Sequence, residues 1–210
     1  MSPQHLPTHT YFEQLPQPSQ EIPLRILFSG CLAGNVCTYE NTELAYDHIY
    51  QIVKHPKVKA FPFCPEHYAK GTPRLLSDIH GGNGFDVLDG KAKVLATNGE
   101  DWTRAMLDAA QKMLEVAQQQ QVQLAIMLDI SGACGTQTIY LGDRTIAPQN
   151  YQKGPGVCAA LLIRKGIKVI SQRDYATLEL LTQKLNPAHK INTTAIDHHQ
   201  TAWYLDYFKD

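Results

Sequence analysis

The 210-residue chain lacks several features that would assign it to a common class. It has no run approaching the roughly 20 apolar residues of a membrane helix. Its N-terminal stretch is polar and rich in His and Pro, without the apolar segment of a signal peptide. The formal net charge of -1 provides no basic field for nucleic-acid backbones. We therefore expect a cytoplasmic protein that binds neither a membrane nor bulk nucleic acid.

Cysteine is scarce as well, with five residues and no CxxC pair. An odd number of cysteines in a cytoplasmic protein favours reduced, catalytic or metal-binding thiols over disulfides. Structural zinc sites usually use closely spaced pairs, which this chain does not have. A chain of this length can also bury a sizeable core without covalent staples.

The order of apolar segments predicts the fold class. Short apolar runs indicate buried strands and periodic stretches indicate helices; the strands are expected at 26–28, 58–64, 123–129 and 167–170, and the helices at 42–53, 101–117, 157–164 and 174–185. Short antiparallel strands are expected around 85–94. The alternation predicts an α/β fold, a single Rossmann-like three-layer domain with a mostly parallel sheet.

We expect this domain to cover residues 24–185. An irregular N-terminal arm over 1–23 and a C-terminal tail over 186–210 would flank it, and aromatic residues of the tail would pack over the domain or at a partner surface.

Three of the predicted strands end at or run into a turn with a cysteine: Cys31, Cys64 and Cys134. Neighbouring parallel strands lie about 4.8 Å apart, so their carboxyl ends would bring the three thiols together. Soft thiolates select iron-sulfur clusters, zinc or Cu(I). From spacing alone, a cluster, zinc and plain structural cysteines all stay open. Cys158 lies in an apolar helix and is expected to be an inert, packed thiol.

A series of motifs resembles the thiouracil desulfidases, a family previously described as a domain of unknown function. The motifs follow one another from about residue 24 to 171: SGCLAGNVCTY (29–39), FCPE (63–66), TPR (72–74), FDVLDGKAKV (85–94), NGEDWT (98–103), AIMLDISGACG (125–135) and GPGVCAALLIRKGIKVIS (154–171). The resemblance implies a [4Fe-4S] cluster held by Cys31, Cys64 and Cys134. It also implies removal of sulfur from small thiolated uracil compounds such as 4-thiouridine monophosphate. Cys37 would lie beside the cluster without binding it.

The chain departs from this family in two stretches, of which the first, PEHYAKG at 65–71, lacks the usual glycine pair. Residues 128–135 read LDISGACG, whereas the family commonly reads KERSPSCG, so two basic side chains and one hydroxyl are missing. A divergent member could act on another thiocarbonyl compound or only carry the cluster.

The expected reaction is desulfuration of hydrolase or lyase type. The cluster would act as a Lewis acid that polarises a thiocarbonyl toward attack by water. Glu66 or Asp129 would accept the water proton, although either acid could equally cap a turn. Ser131 would bond the substrate or the cluster sulfur, or merely shape its turn. Cys37, near the site, completes the set of catalytic candidates.

Substrate binding is expected at two places. Arg74, in the loop with Thr72, would meet an anionic group, or only tie down its loop. The backbone amides from Gly154 and Gly156 onward would form a second anion site at a helix start.

Two other classes stay open. A thiol redox or transfer enzyme would use Cys31 and Cys37 as nucleophile and resolving thiol, without iron. A cluster-bearing or zinc-bearing protein would hold metal without turnover. For the histidines, including His198 and His199, packing or exposure is the expected explanation.

Overall fold

A computed structural model describes residues 3–44 and 46–209 of the chain. The other four residues, Met1, Ser2, Ala45 and Asp210, fall in the predicted arm, the predicted helix 42–53 and the predicted tail, and they lie outside the described residues.

The described chain contains eight strands and eight α-helices. The strands are β1 Leu24–Ser29, β2 Val58–Phe63, β3 Ser77–His80, β4 Lys93–Ala96, β5 Leu124–Met127, β6 Thr138–Tyr140, β7 Tyr151–Lys153 and β8 Lys168–Ser171. The helices are α1 His9–Gln14, α2 Asp47–Val53, α3 Pro65–Lys70, α4 Gly84–Leu88, α5 Thr103–Gln119, α6 Val157–Arg164, α7 Tyr175–Leu185 and α8 Ala202–Tyr207. Single 3-10 turns cover Gly30–Ala33 and His198–Gln200.

A four-stranded parallel sheet in the order β2-β1-β5-β8 forms the centre of the fold. Successive side chains of each strand point to opposite faces of the sheet, so each strand contributes to two apolar cores. Leu27 of β1 packs with residues of α5 and α6 on one face. Ile26 and Phe28 pack with residues of α1, α2 and α7 on the other. The α/β fold with helices on both faces of a parallel sheet is thus confirmed.

The segment around 85–94 differs from the prediction of antiparallel strands. Residues Gly84–Leu88 form α4, because the Asn83 side chain accepts from the Phe85 amide and the Asp86 carboxylate accepts from the Asn83 amide. The antiparallel pair is instead β3 with β4. This capping box starts a helix inside a glycine-rich stretch that otherwise indicates turns.

The predicted arm and the helix after it also differ in detail. The arm over 1–23 contains α1, which Thr8 caps and which buries Phe12 against the sheet. The predicted helix 42–53 begins only at Asp47, since a turn held by Thr38 and Thr42 precedes it. In the described part of the chain, no helix is long and apolar enough to cross a membrane. The boundaries predicted at 23/24 and 185/186 stay a prediction.

Candidate active site

The three cysteines of the predicted metal site follow three adjacent strands. Cys31 lies in the 3-10 turn directly after β1, Cys64 follows β2 and caps α3, and Cys134 lies in the loop after β5. Because β2, β1 and β5 are neighbours in the sheet, their carboxyl ends lie side by side. All five cysteines of the chain are free thiols.

Cys37 contacts two of these thiols. Hydrogen bonding with the Cys31 side chain is the main reason that the pKa of Cys37 rises to about 11, whereas the Cys64 side chain lowers this pKa. The Cys64 thiol also donates to the Cys37 carbonyl at 3.6 Å and accepts from the His67 amide at 3.4 Å. The hydrogen bond with Cys37, then burial and the Glu66 carboxylate, raise the pKa of Cys64.

Burial is the main cause of the raised pKa at two further thiols, Cys134 and Cys158. It raises the pKa of Cys134 well above its ordinary value, and the neighbouring Cys158 and Glu66 add to the effect. Cys158 is also fully buried, with its pKa raised by burial first. Such thiols stay protonated at neutral pH unless a bound metal cation draws off the proton.

The donor set fits a thiolate-held cluster, and Gly30 shows how closely the strand ends approach. A Cβ atom at position 30 would lie 3.1 Å from the Cys64 Cβ and 3.3 Å from the Cys37 Sγ. A side chain there would press on Cys64 and on the Cys37 thiol. Soft thiol donors that follow three adjacent strands are the donor type that an iron-sulfur cluster uses.

The loop that carries Cys134 is held by its own backbone. The Ser131 hydroxyl accepts from the Cys134 amide at 3.1 Å, and the Ser131 carbonyl accepts from the Gly135 amide at 2.8 Å. A Cβ at Gly135 would lie 2.7 Å from that carbonyl oxygen, so only glycine fits. Ser131 itself is buried and lines the cleft described below.

The start of α6 braces the same loop, which corrects the predicted anion site there. The amides of Gly156 and Val157 donate to the carbonyls of Gly135 and Gly132 at 2.8 and 2.9 Å, and the Gly154 amide donates to Gln137 at 2.9 Å. These donors are used within the fold and are not free to bind an anion.

The predicted role of Asp129 as a base is corrected for a similar reason. Its Oδ1 accepts from the amides of Thr136, Gln137 and Thr138, and its Oδ2 accepts from His198 Nδ1 at 2.5 Å. Burial alone would raise the pKa of Asp129, but the His198 bond and the amides lower it overall. A saturated carboxylate with a lowered pKa holds the loop and does not accept a proton.

Arg74 is likewise committed to the fold, so its guanidinium does not fit the predicted anion-binding role. Its Nη1 donates to the carbonyls of Cys37 and Gly71 at 3.0 and 3.2 Å and to Thr72 Oγ1 at 3.1 Å. Its Nη2 donates to Glu66 Oε2 at 3.3 Å. Arg74 therefore ties the Cys37 turn to the Glu66 segment. Thr72 bonds His67 and Arg74 and does not line the cleft.

An open cleft of about 480 Å³ lies above the strand ends. Its walls include Cys31, Cys37, Cys64, Glu66 and Ser131. The structure thus brings all four predicted catalytic residues, Cys37, Glu66, Asp129 and Ser131, to one cavity, whose lining does not include Cys134. Leu128 and Ile130, which stand at the positions that are basic in the resembling family, also line the cleft.

Aromatic and cationic side chains complete the walls, and the sequence predictions missed them. The tyrosines are Tyr39, Tyr46, Tyr140 and Tyr151, and the additional arginines are Arg144 and Arg173. Arg144 makes a paired bond to the buried Asp78, with Nε 2.8 Å from Oδ1, and lies over the Tyr140 ring. Arg173 follows β8, the fourth strand of the sheet, so the rule that found the cysteines could also have found Arg173.

The C-terminal segment forms the back of this region. His198 is 2% exposed, bonds Asp129 and stacks on Trp203 with ring centroids 5.5 Å apart. The Tyr151 amide donates to the Tyr207 hydroxyl at 2.8 Å. Residues that follow the last strand of the sheet in sequence therefore hold one wall of the cleft in place.

Comparisons with known proteins agree with this geometry. The family model described as 2-thiouracil desulfurase matches residues 26–174. The chain is similar to an uncharacterized protein of Bacillus subtilis (strain 168), YbbK, with 37% identity over 150 residues that cover 71% of this chain and 96% of the relative. It is also similar to a solved structure named [4Fe-4S]-dependent thiouracil desulfidase TudS, with 25% identity and a TM-score of 0.62; the match covers 76% of this chain and 98% of that chain.

Proposed function

Because the chain belongs to the 2-thiouracil desulfurase family, we propose that it removes sulfur from thiolated uracil compounds, such as 4-thiouridine monophosphate, by hydrolysis. The products are the oxygenated pyrimidine and sulfide. We further propose that Cys31, Cys64 and Cys134 hold a [4Fe-4S] cluster.

One observation carries the proposal. Three thiols that are far apart in sequence follow three adjacent strands, and two of them line a cleft that also contains a carboxylate, a hydroxyl and tyrosine side chains. The similar solved structure is named a [4Fe-4S]-dependent thiouracil desulfidase, which supports the proposed cofactor and activity.

The chemistry needs a Lewis acid, a base and a place for a flat ring. Cys31, Cys64 and Cys134 would hold the cluster, which would supply a Lewis acid for the thiocarbonyl group of the substrate. Water then attacks the carbon, the C-S bond breaks, a C-O bond forms and sulfide leaves, so no net electron transfer occurs.

Glu66 is the proposed base for this water. One of its oxygens, Oε2, accepts from Arg74, and Oε1 makes no hydrogen bond with any residue that the structure describes. Arg74 would hold the carboxylate in position while Oε1 accepts the proton.

Ser131 and the tyrosines would orient the substrate. The Ser131 oxygen already accepts from two backbone amides, so its own hydrogen is the part that can be donated to a substrate oxygen. The tyrosine walls suit the faces of a pyrimidine ring.

The structure also bears on a thiol redox enzyme. That enzyme would use Cys37 as its resolving thiol, but hydrogen bonding with Cys31 raises the pKa of Cys37 to about 11. A reactive thiol needs a lowered pKa, so we favour the metal-dependent function.

The test is purification without oxygen, followed by iron, sulfide and zinc analysis and by assays of sulfide release. We expect brown protein with about four irons per chain that releases sulfide from 4-thiouracil, 4-thiouridine or 4-thiouridine monophosphate. Iron-loaded protein that releases none from any of the three would overturn the proposed activity. Colourless protein with stoichiometric zinc would overturn the cluster.

A further inference from the structure

A second cavity adjoins the cleft. It has a volume of about 350 Å³ and is lined by Tyr46, Arg173, Tyr175, His198, Thr201 and Trp203. We call it the side compartment. Two of these residues, Tyr46 and Arg173, line the cleft as well, so they stand at the boundary between the two cavities. The other four lie beyond residue 174, where the family match ends.

The lining of the side compartment has donors but no carboxylate among the residues that the structure describes. The guanidinium of Arg173 and the hydroxyls of Tyr46 and Tyr175 make no hydrogen bond with any described residue, and Tyr175 is 49% exposed. The neighbouring acids Asp129 and Asp174 are buried and bonded within the fold. A cation with hydroxyl donors and no acid suits an anion.

The three arginines of the cleft differ in what they can still bind. Arg74 donates to backbone carbonyls and Glu66, and Arg144 is paired with Asp78. Within the described chain, only Arg173 among the cationic side chains of the cleft keeps its donors free. Arginine is well suited to phosphate, because two of its N-H groups can meet two oxygens at once.

We propose that Arg173, with the Tyr46 and Tyr175 hydroxyls, binds the phosphate of a thiolated nucleotide whose base lies in the cleft. The ribose and phosphate would extend from the thiols into the side compartment. This inference rests on the proposed function, and it moves the phosphate site from the predicted Arg74 and Gly154 to the end of β8.

Equilibrium binding of UMP and uridine to anaerobically prepared protein tests the inference, because neither compound carries the sulfur that reacts. UMP should bind about tenfold to a hundredfold more tightly than uridine, as expected for hydrogen bonds to a charged group. Arg173→Met should abolish most of this preference, and Arg173→Lys should keep part of it. The control Arg104→Met removes an exposed arginine of α5 that lines neither cavity, and it should keep the full preference.

Two outcomes would overturn the inference. One is an unchanged UMP preference in Arg173→Met protein whose thermal unfolding midpoint equals that of the wild type. The other is that inorganic phosphate binds and this binding depends on Arg173, while UMP binds no more tightly than uridine. The anion site would then be separate from the substrate site. Sulfide release decides the proposed function independently: its absence from all thiolated compounds refutes the activity, whereas the UMP result alone decides the phosphate site.

Discussion

The contact between His198 and Asp129 gives a prediction whose size follows from the structure. His198→Phe removes the Nδ1-H donor but keeps a flat ring that can stack on Trp203. The Asp129 side chain is fully buried, so it loses its one side-chain partner and retains only backbone amides. Losing a hydrogen bond to a charged group costs about 1.5–3 kcal/mol, and removing one partner of a buried pair costs about 3–5 kcal/mol.

Because the amides still solvate the carboxylate, we expect a loss of roughly 3 kcal/mol, or a decrease of about 6–12 °C in the unfolding midpoint of a chain of this size. Since Asp129 holds the loop that carries Cys134, the variant should also lose iron to a chelator faster than the wild type. Differential scanning calorimetry and a timed chelator assay measure the two effects.

A double-mutant cycle with Asp129→Asn identifies the cause. If the loss comes from the stranded carboxylate, the double variant should be more stable than the sum of the two single losses predicts, by about 1–3 kcal/mol. His189→Phe, which removes a histidine paired with Glu179 near the surface, is the control. A loss below about 0.5 kcal/mol in His198→Phe, the level of ordinary surface changes, or strictly additive losses would refute the reasoning.

Two further predictions concern the site, and a third concerns His5 in the N-terminal segment. Alanine variants of the proposed ligands should each lose iron, measured as metal content after gel filtration: Cys31, Cys64 and Cys134. Cys37→Ala should keep iron and lose part of the activity, and Cys158→Ala should keep both; equal iron loss in Cys37→Ala would mean four protein ligands. Glu66→Gln should keep iron but slow sulfide release by about 10²–10⁴-fold, the range of general-base catalysis, and an unchanged rate would exclude Glu66 as the base. Burial lowers the pKa of His5 from 6.5 to about 4, so the native state binds fewer protons than the unfolded state between these values and loses stability as pH falls from 6.5 to 4. Unfolding midpoints of His5→Leu should fall less over this range, and parallel curves would contradict the assignment.

The sequence alone determined the central architecture and the placement of three cysteines after strands of one sheet. Each buried strand can be recognised from its own apolar run, and the position where the run stops shows where the strand ends. Hence Cys31, Cys64 and Cys134 could be predicted to follow strand ends before the strands were known to be neighbours. The helix at 84–88 was missed because its capping box lies among glycines that indicate turns.

Only the tertiary structure decided which polar groups are free to react. Asp129 is bonded by His198, 69 positions away, and the amides at the start of α6 are used by the loop of Cys134. Arg74 and Arg173 look equally available in the sequence, yet the first is surrounded by carbonyls and the second faces two cavities. A side chain's residue type fixes what it can donate or accept. Whether that capacity is already used depends on partners that are distant in the chain, and folding alone brings them together.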